Sequence, residues 1–119
     1  MAVCEPVAKL DLCLYRSDNF NHQITWQDAA GDPIDITGYT ANMQVRKNVG
    51  NTTVLMTATD GNGILLGGLA GTVDIQLSPA QTNISNQDNV YDLEVISPGA
   101  VVTTLIQGPF VVIQDVTRT

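Results

Sequence analysis

The stretch from Phe20 to Arg46 reads FNHQITWQDAAGDPIDITGYTANMQVR. Its first part sets Phe20, His22, Ile24 and Trp26 against Asn21, Gln23, Thr25 and Gln27. Its last part sets Ala41, Met43 and Val45 against Asn42, Gln44 and Arg46. A period of two puts alternate side chains on opposite faces of a strand, so each run is predicted to have one buried and one wet face. Between them, Asp28-Ala29-Ala30-Gly31-Asp32-Pro33 is turn chemistry, with residues that tolerate or pre-set bent backbone.

The same alternation extends in both directions. Upstream, Leu10, Leu12 and Leu14 alternate with Lys9, Asp11 and Cys13. Downstream, Val73, Ile75 and Leu77 alternate with Asp74 and Gln76, and Tyr91, Leu93 and Val95 with Asp92 and Glu94. The predicted core is therefore Phe20, Ile24, Trp26, Met43, Val45, Val73, Ile75, Tyr91, Leu93 and Val95, with Trp26 as its largest anchor. Asp60-Gly61-Asn62-Gly63 reads as a hairpin turn and Ser97-Pro98-Gly99 as a tight turn. Ser78-Pro79-Ala80-Gln81 pairs an N-cap serine with an N1 proline, predicting one short helical turn within 79–84. Several short strands with this punctuation predict an all-β domain, a sandwich or a small barrel. An N-terminal arm over residues 1–8 precedes a single domain over 9–119.

Composition narrows the function. Of 119 residues, 44% are apolar, enough for a core, while only 14% are charged. Five Lys and Arg face 12 Asp and Glu, a net charge of −7, which argues against binding nucleic acid or an anionic membrane. No apolar run reaches the roughly 18–20 residues needed to cross a bilayer. Glu5, Lys9 and Asp11 interrupt the apolar start, so a signal peptide is not expected and synthesis in a cytoplasm is. In an extended segment Cys4 and Cys13 would stand about 30 Å apart, far beyond disulfide reach. Pro6 is able to turn the chain, but two reduced thiols are the simpler expectation.

Chemistry-bearing groups are sparse. His22 is the one imidazole, and it shares a face with Phe20, Ile24 and Trp26, as a packed histidine would. Cys4, Cys13 and His22 fit no zinc spacing. Asp60-Gly61-Asn62-Gly63 lacks the closing glutamate of a calcium loop, and Gly67-Gly68-Leu69-Ala70-Gly71 lacks the Lys-Ser/Thr of a phosphate loop. No catalytic, cofactor-binding or metal-binding residue is assigned. Aromatic residues are 5%, few for a stacking platform.

The runs 101–106 and 110–116 are nearly continuously apolar, with Gly108-Pro109 between them as an expected kink. A continuously apolar strand is covered on both faces, by its own chain or by a partner. Candidate contact residues are therefore Val3, Cys4, Pro6 and Val7 in the arm and Phe110, Val112 and Val116 near the C-terminus.

Taken with GTVDIQLSPAQT at 71–82 and VYDLEVISPGAVVTTLIQGPFVVIQDVTR at 90–118, the opening stretch resembles small tailed-bacteriophage virion proteins. The nearest architecture is that of the N-terminal domains of the phage baseplate upper protein family. The resemblance runs over about Leu12 to Arg118 in short pieces whose order and spacing carry it. It implies an immunoglobulin-like antiparallel β-sandwich and a non-enzymatic virion part that docks tail, baseplate or fibre components through its arm and sheet edges. Other virion proteins, and copies of the same chain, are the implied partners. Because the sequence ends at Thr119, soon after such a sandwich is complete, an adaptor is expected rather than a receptor-binding part. A capsid decoration (cement) protein and a neck or collar protein are the alternatives, and a virion-surface carbohydrate-binding module is a more remote one. Corner placement is expected for Tyr91, at the start of its strand, with its hydroxyl on a nearby backbone group.

Overall fold

The computed structural model describes residues 8–114. In chain order the strands are β1 (Ala8–Lys9), β2 (Leu12–Tyr15), β3 (Phe20–Thr25), β4 (Thr40–Arg46), β5 (Met56–Asp60), β6 (Gly63–Leu66), β7 (Thr72–Leu77), β8 (Asp88–Ile96) and β9 (Val102–Ile113). The chain is all-β. Its strands form one sheet in the order β1-β9-β8-β4-β5-β6-β7-β3, with β2 also on β9, nearly closed into a barrel. Inward side chains from both flanks fill the interior. Met43, Val45, Ala58, Val73, Ile75, Leu93, Val95, Phe110 and Val112 are fully enclosed, and Ile36 and Leu77 nearly so.

The contact between β5 and β6 is unlike the rest. Asp60-Gly61-Asn62-Gly63 makes a tight turn, with Gly61 and Gly63 at φ +82° and +102°, but the expected hairpin does not follow. Only Thr59↔Gly63 and Asp60↔Ile64 pair, and they pair in parallel, so the chain crosses from one flank to the other. Gln81 secures the crossing by donating from Nε2 to the Asn62 carbonyl at 3.1 Å.

The predicted helical turn forms as a hydrogen-bonded turn only. Ser78 Oγ accepts from the Gln81 amide at 3.3 Å, and Gln81 Oε1 accepts from the Ser78 amide at 3.0 Å, a reciprocal capping box. No helix propagates beyond it, because the following residues run at once toward β8. Thr82, fully buried, instead donates its hydroxyl to the Asp18 carbonyl at 2.7 Å. The one helical segment among the described residues is a 3-10 turn at Gly68–Ala70, inside the glycine-rich stretch 67–71.

The two C-terminal apolar runs are one strand. β9 passes through Gly108-Pro109 without a break, pairing Gly108 with Tyr91 and Pro109 with Val90. The interruption falls on the neighbouring strand. β1 and β2 keep one register on β9, from Ala8↔Ile106 and Lys9↔Gln107 to Leu12↔Phe110, yet they separate at Leu10 and Asp11. The Leu10 amide donates to the Gln107 carbonyl at 3.1 Å. In a parallel ladder the Leu10 carbonyl would next accept from residue 109, which is proline and has no N–H. The Tyr91 hydroxyl supplies the missing donor, at 2.6 Å from the Leu10 oxygen. Gly108 leaves room for this, since a Cβ there would stand 2.7 Å from that oxygen. Tyr91 lies inside β8 rather than at its start, and its ring meets Phe110 edge-on at 6.0 Å.

Trp26 is not the central anchor expected. Phe20, Ile24 and Trp26 are each half-buried, because β3 ends the sheet path and, among the described residues, has a strand neighbour on one side only. Trp26 packs edge-on against Tyr39 with ring centres 6.2 Å apart.

Candidate functional site

Two adjoining surfaces on the outward side of the β2–β9–β8–β4 flank are the strongest candidates. The first is apolar. With Leu12, Leu14, Phe110 and Val112 inward, alternation turns Cys13, Tyr15, Val111 and Ile113 outward, and the register sets Cys13 beside Val111 and Tyr15 beside Ile113. Tyr15 is 53% exposed and Cys13 is exposed, while Val111 and Ile113 are half-buried. Arg16 borders this stripe, donating from Nη1 to Gln114 Oε1 at 3.0 Å and from Nε to Asn83 Oδ1 at 2.8 Å.

The expected contact residues of the C-terminal run are therefore on the wrong face. Phe110 and Val112 are both 0% exposed and belong to the core. A continuously apolar strand hides its own parity, and a choice one residue out of step moves every side chain to the opposite face. The paired positions on β2 carry the missing signal: Leu12 and Leu14 are apolar, and Asp11 and Cys13 are less so. Val3, Cys4, Pro6, Val7 and Val116 lie outside the described residues. Among the predicted core residues, Met43, Val45, Val73, Ile75, Tyr91, Leu93 and Val95 are buried.

The second surface mixes polar side chains with apolar ones, Val49, Val90 and Pro109 among the latter. A shallow concavity of about 620 Å³ opens over β4, β8 and β9, lined by Asn42, Gln44, Arg46, Asp92, Glu94 and Gln107 among others, with Lys9 at its rim. Arg46 is held in place, donating to the Asn51 carbonyl at 2.9 Å and to Gln44 Oε1 at 3.0 Å. Asn42 Oδ1 is enclosed and has no hydrogen-bond partner among the described residues. Sequence reading missed this patch because its residues are the ordinary wet positions of three strands. Only their convergence in space makes them a surface.

Ionisable groups are perturbed at two places. Burial, and then the nearby Asp11 carboxylate, push the Tyr91 hydroxyl well above its ordinary value of 10.0, which keeps it protonated as the donor to Leu10. Asp35 is held below its ordinary 3.8 by the Thr37 hydroxyl at 2.6 Å and the Thr37 amide at 2.9 Å. Both shifts have their causes in local structure. His22 sits half-buried on β3 in line with Phe20 and Ile24. Among the described residues no three His, Cys, Asp or Glu side chains cluster closely enough to hold a metal ion, and no helix is long and apolar enough to cross a membrane. No family model matches the chain, and no curated protein matches it in sequence.

Proposed function

We propose that this chain is a non-enzymatic structural part of a tailed-bacteriophage particle, an immunoglobulin-like β-sandwich that joins neighbouring virion proteins. The observation that carries the reading is the outward stripe of Cys13, Tyr15, Val111 and Ile113, apolar surface left over after the core is complete. Such a patch on a small acidic domain has the character of a contact surface. Strand order supports the immunoglobulin-like reading. The first strand lies parallel to the last, and the one sheet is held together between β5 and β6 by two residue pairs, so that a split there would leave β9-β8-β4-β5 and β6-β7-β3 as the two layers of a sandwich. The resemblance to phage baseplate upper protein N-terminal domains supports the setting. Repetition of one weak contact at symmetry-related positions would make it strong. Net charge −7 favours a neutral or basic neighbour. In this reading the chain is made in the host cytoplasm and ends in the virion.

The test is the protein content of purified particles from the phage that encodes the chain. Mass spectrometry should find it at a fixed number of copies, and Tyr15→Asp should deplete it while the isolated protein stays folded. Its absence from particles contradicts the proposal. The concavity favours one second reading, a carbohydrate-binding module, since the amides and carboxylates in its mixed lining suit sugar hydroxyls. A glycan array with the intact chain separates the two.

A further inference from the structure

The far end of the sheet carries a surface that the docking stripe does not use. Among the described residues β3 pairs with β7 and with no second strand. The side of β3 that faces away can be read from its hydrogen bonds. The Trp26 amide donates to the Gly71 carbonyl at 2.8 Å, continuing the β3–β7 ladder. In an antiparallel ladder the amide and carbonyl of one residue point the same way, and successive residues alternate. His22 and Ile24 thus point their backbone groups at β7, while Asn21, Gln23 and Thr25 point theirs away from it, with no backbone partner among the described residues.

Exposed edges of this kind are usually protected by a charge, a proline or a bulge. The opposite end of the sheet has such protection, with Lys9 and Asp11 on the edge and a break at Leu10 and Asp11. β3 has none of these. Its sequence, Phe20 to Thr25, is uncharged and free of proline in a chain of net charge −7. It is the stretch along which two copies of an acidic molecule meet without facing like charges.

We infer that β3 is a self-pairing edge and that two copies of this chain join there as an antiparallel, two-fold dimer. One register fits best. Placing Gln23 opposite its own copy sets Asn21 against Thr25 of the second copy, so all three outward-pointing residues exchange backbone hydrogen bonds. The same register brings Phe20 opposite Trp26 and His22 opposite Ile24. These are the inward side chains that the single chain leaves half-buried. A second strand would cover them as the other strands' inward residues are already covered. Asp18 and Asp28 stand just beyond the two ends of the paired stretch, so added salt strengthens the association. The inference is independent of the virion reading, since it rests on the edge alone.

Sedimentation of the full chain over a wide concentration range tests it. A reversible monomer–dimer equilibrium that tightens with salt is expected. Gln23→Pro, which removes an outward N–H that β7 does not use, should shift the equilibrium to monomer. In a Cys4→Ser, Cys13→Ser background, Gln23→Cys should form a disulfide-linked dimer on mild oxidation, since a directly opposed hydrogen-bonded pair has Cα atoms about 5.5 Å apart. Thr25→Cys, displaced from the two-fold axis, should not. The inference is overturned by a full chain that stays monomeric at every concentration, including one that dimerises only after residues 1–7 are deleted. A dimer in which Thr25→Cys cross-links as readily as Gln23→Cys overturns it equally.

Discussion

β9 and β3 each present apolar side chains on an inner face, yet one lies at the heart of the sheet and the other at its margin. β9 has β8 on one side and β1 with β2 on the other, and its inward Phe110 and Val112 are sealed. Among the described residues β3 has β7 alone, and its inward Phe20 and Ile24, with Trp26 just beyond, are half-buried. Side-chain periodicity reports that a strand has an inner face. It does not report how many neighbours the strand has, and neighbours determine how complete the burial is.

The largest test of this contrast is a pair of truncations. Phe110→Ala should cost about 3–5 kcal/mol, the range for a sealed aromatic, whereas Trp26→Ala should cost roughly half as much because part of its ring already meets water. Chemical denaturation of the two variants checks the order. A Trp26→Ala cost equal to that of Phe110→Ala would place β3 inside the core after all.

Next in size is the latch at the β9 end. Tyr91→Phe keeps the ring but leaves the Leu10 carbonyl without its donor, and should cost about 1–3 kcal/mol. Gly108→Ala should destabilise as well, since its methyl group would stand 2.7 Å from the Leu10 oxygen. If Gly108→Ala melts with the wild type, the account of how Pro109 is accommodated fails.

The latch also sets a pH dependence. Folding raises the Tyr91 value above its ordinary 10.0, so its contribution is complete below pH 10 and is lost as pH rises from there toward the folded value. The stability gap between wild type and Tyr91→Phe should therefore narrow in alkali. A gap that stays constant through that range would show that burial does not favour the protonated hydroxyl.

The smallest effect is at Asp35, which is fully exposed. Its lowered value gives a contribution present above pH 3.8 and lost as pH falls through the folded value. An NMR titration should place its midpoint below that of an ordinary aspartate, and Thr37→Ala should return it. An unchanged midpoint would remove the hydroxyl as the cause.

Much of the fold was legible from residues. Alternation located the strands containing Met43, Val45, Val73, Ile75, Leu93 and Val95 and assigned their inner faces correctly. What it missed has physical causes. Gly108-Pro109 read as a kink because proline lacks a donor, but the defect is taken up by the neighbouring strand and by a tyrosine far away in the chain. Ser78 and Gln81 gave a true capping box with no helix to cap. The outward stripe on β2 and β9 was half-legible: the apolar run of β9 stood out, but the residues singled out on it, Phe110 and Val112, face the core, because an unbroken apolar run carries no phase. The concavity was not legible, since Asn42, Asp92 and Gln107 come together only when three strands are set side by side.

The contrast between the two ends rests on the outward amides of β3, and hydrogen exchange measures them directly. In dilute protein, Asn21, Gln23 and Thr25 should exchange fast while His22 and Ile24 are protected, and the amides in the core of β9 should be protected throughout. Raising the concentration should slow the three outward amides together. Uniform protection along β3 at every dilution would mean that the strand already has two neighbours within one chain, and would contradict the account.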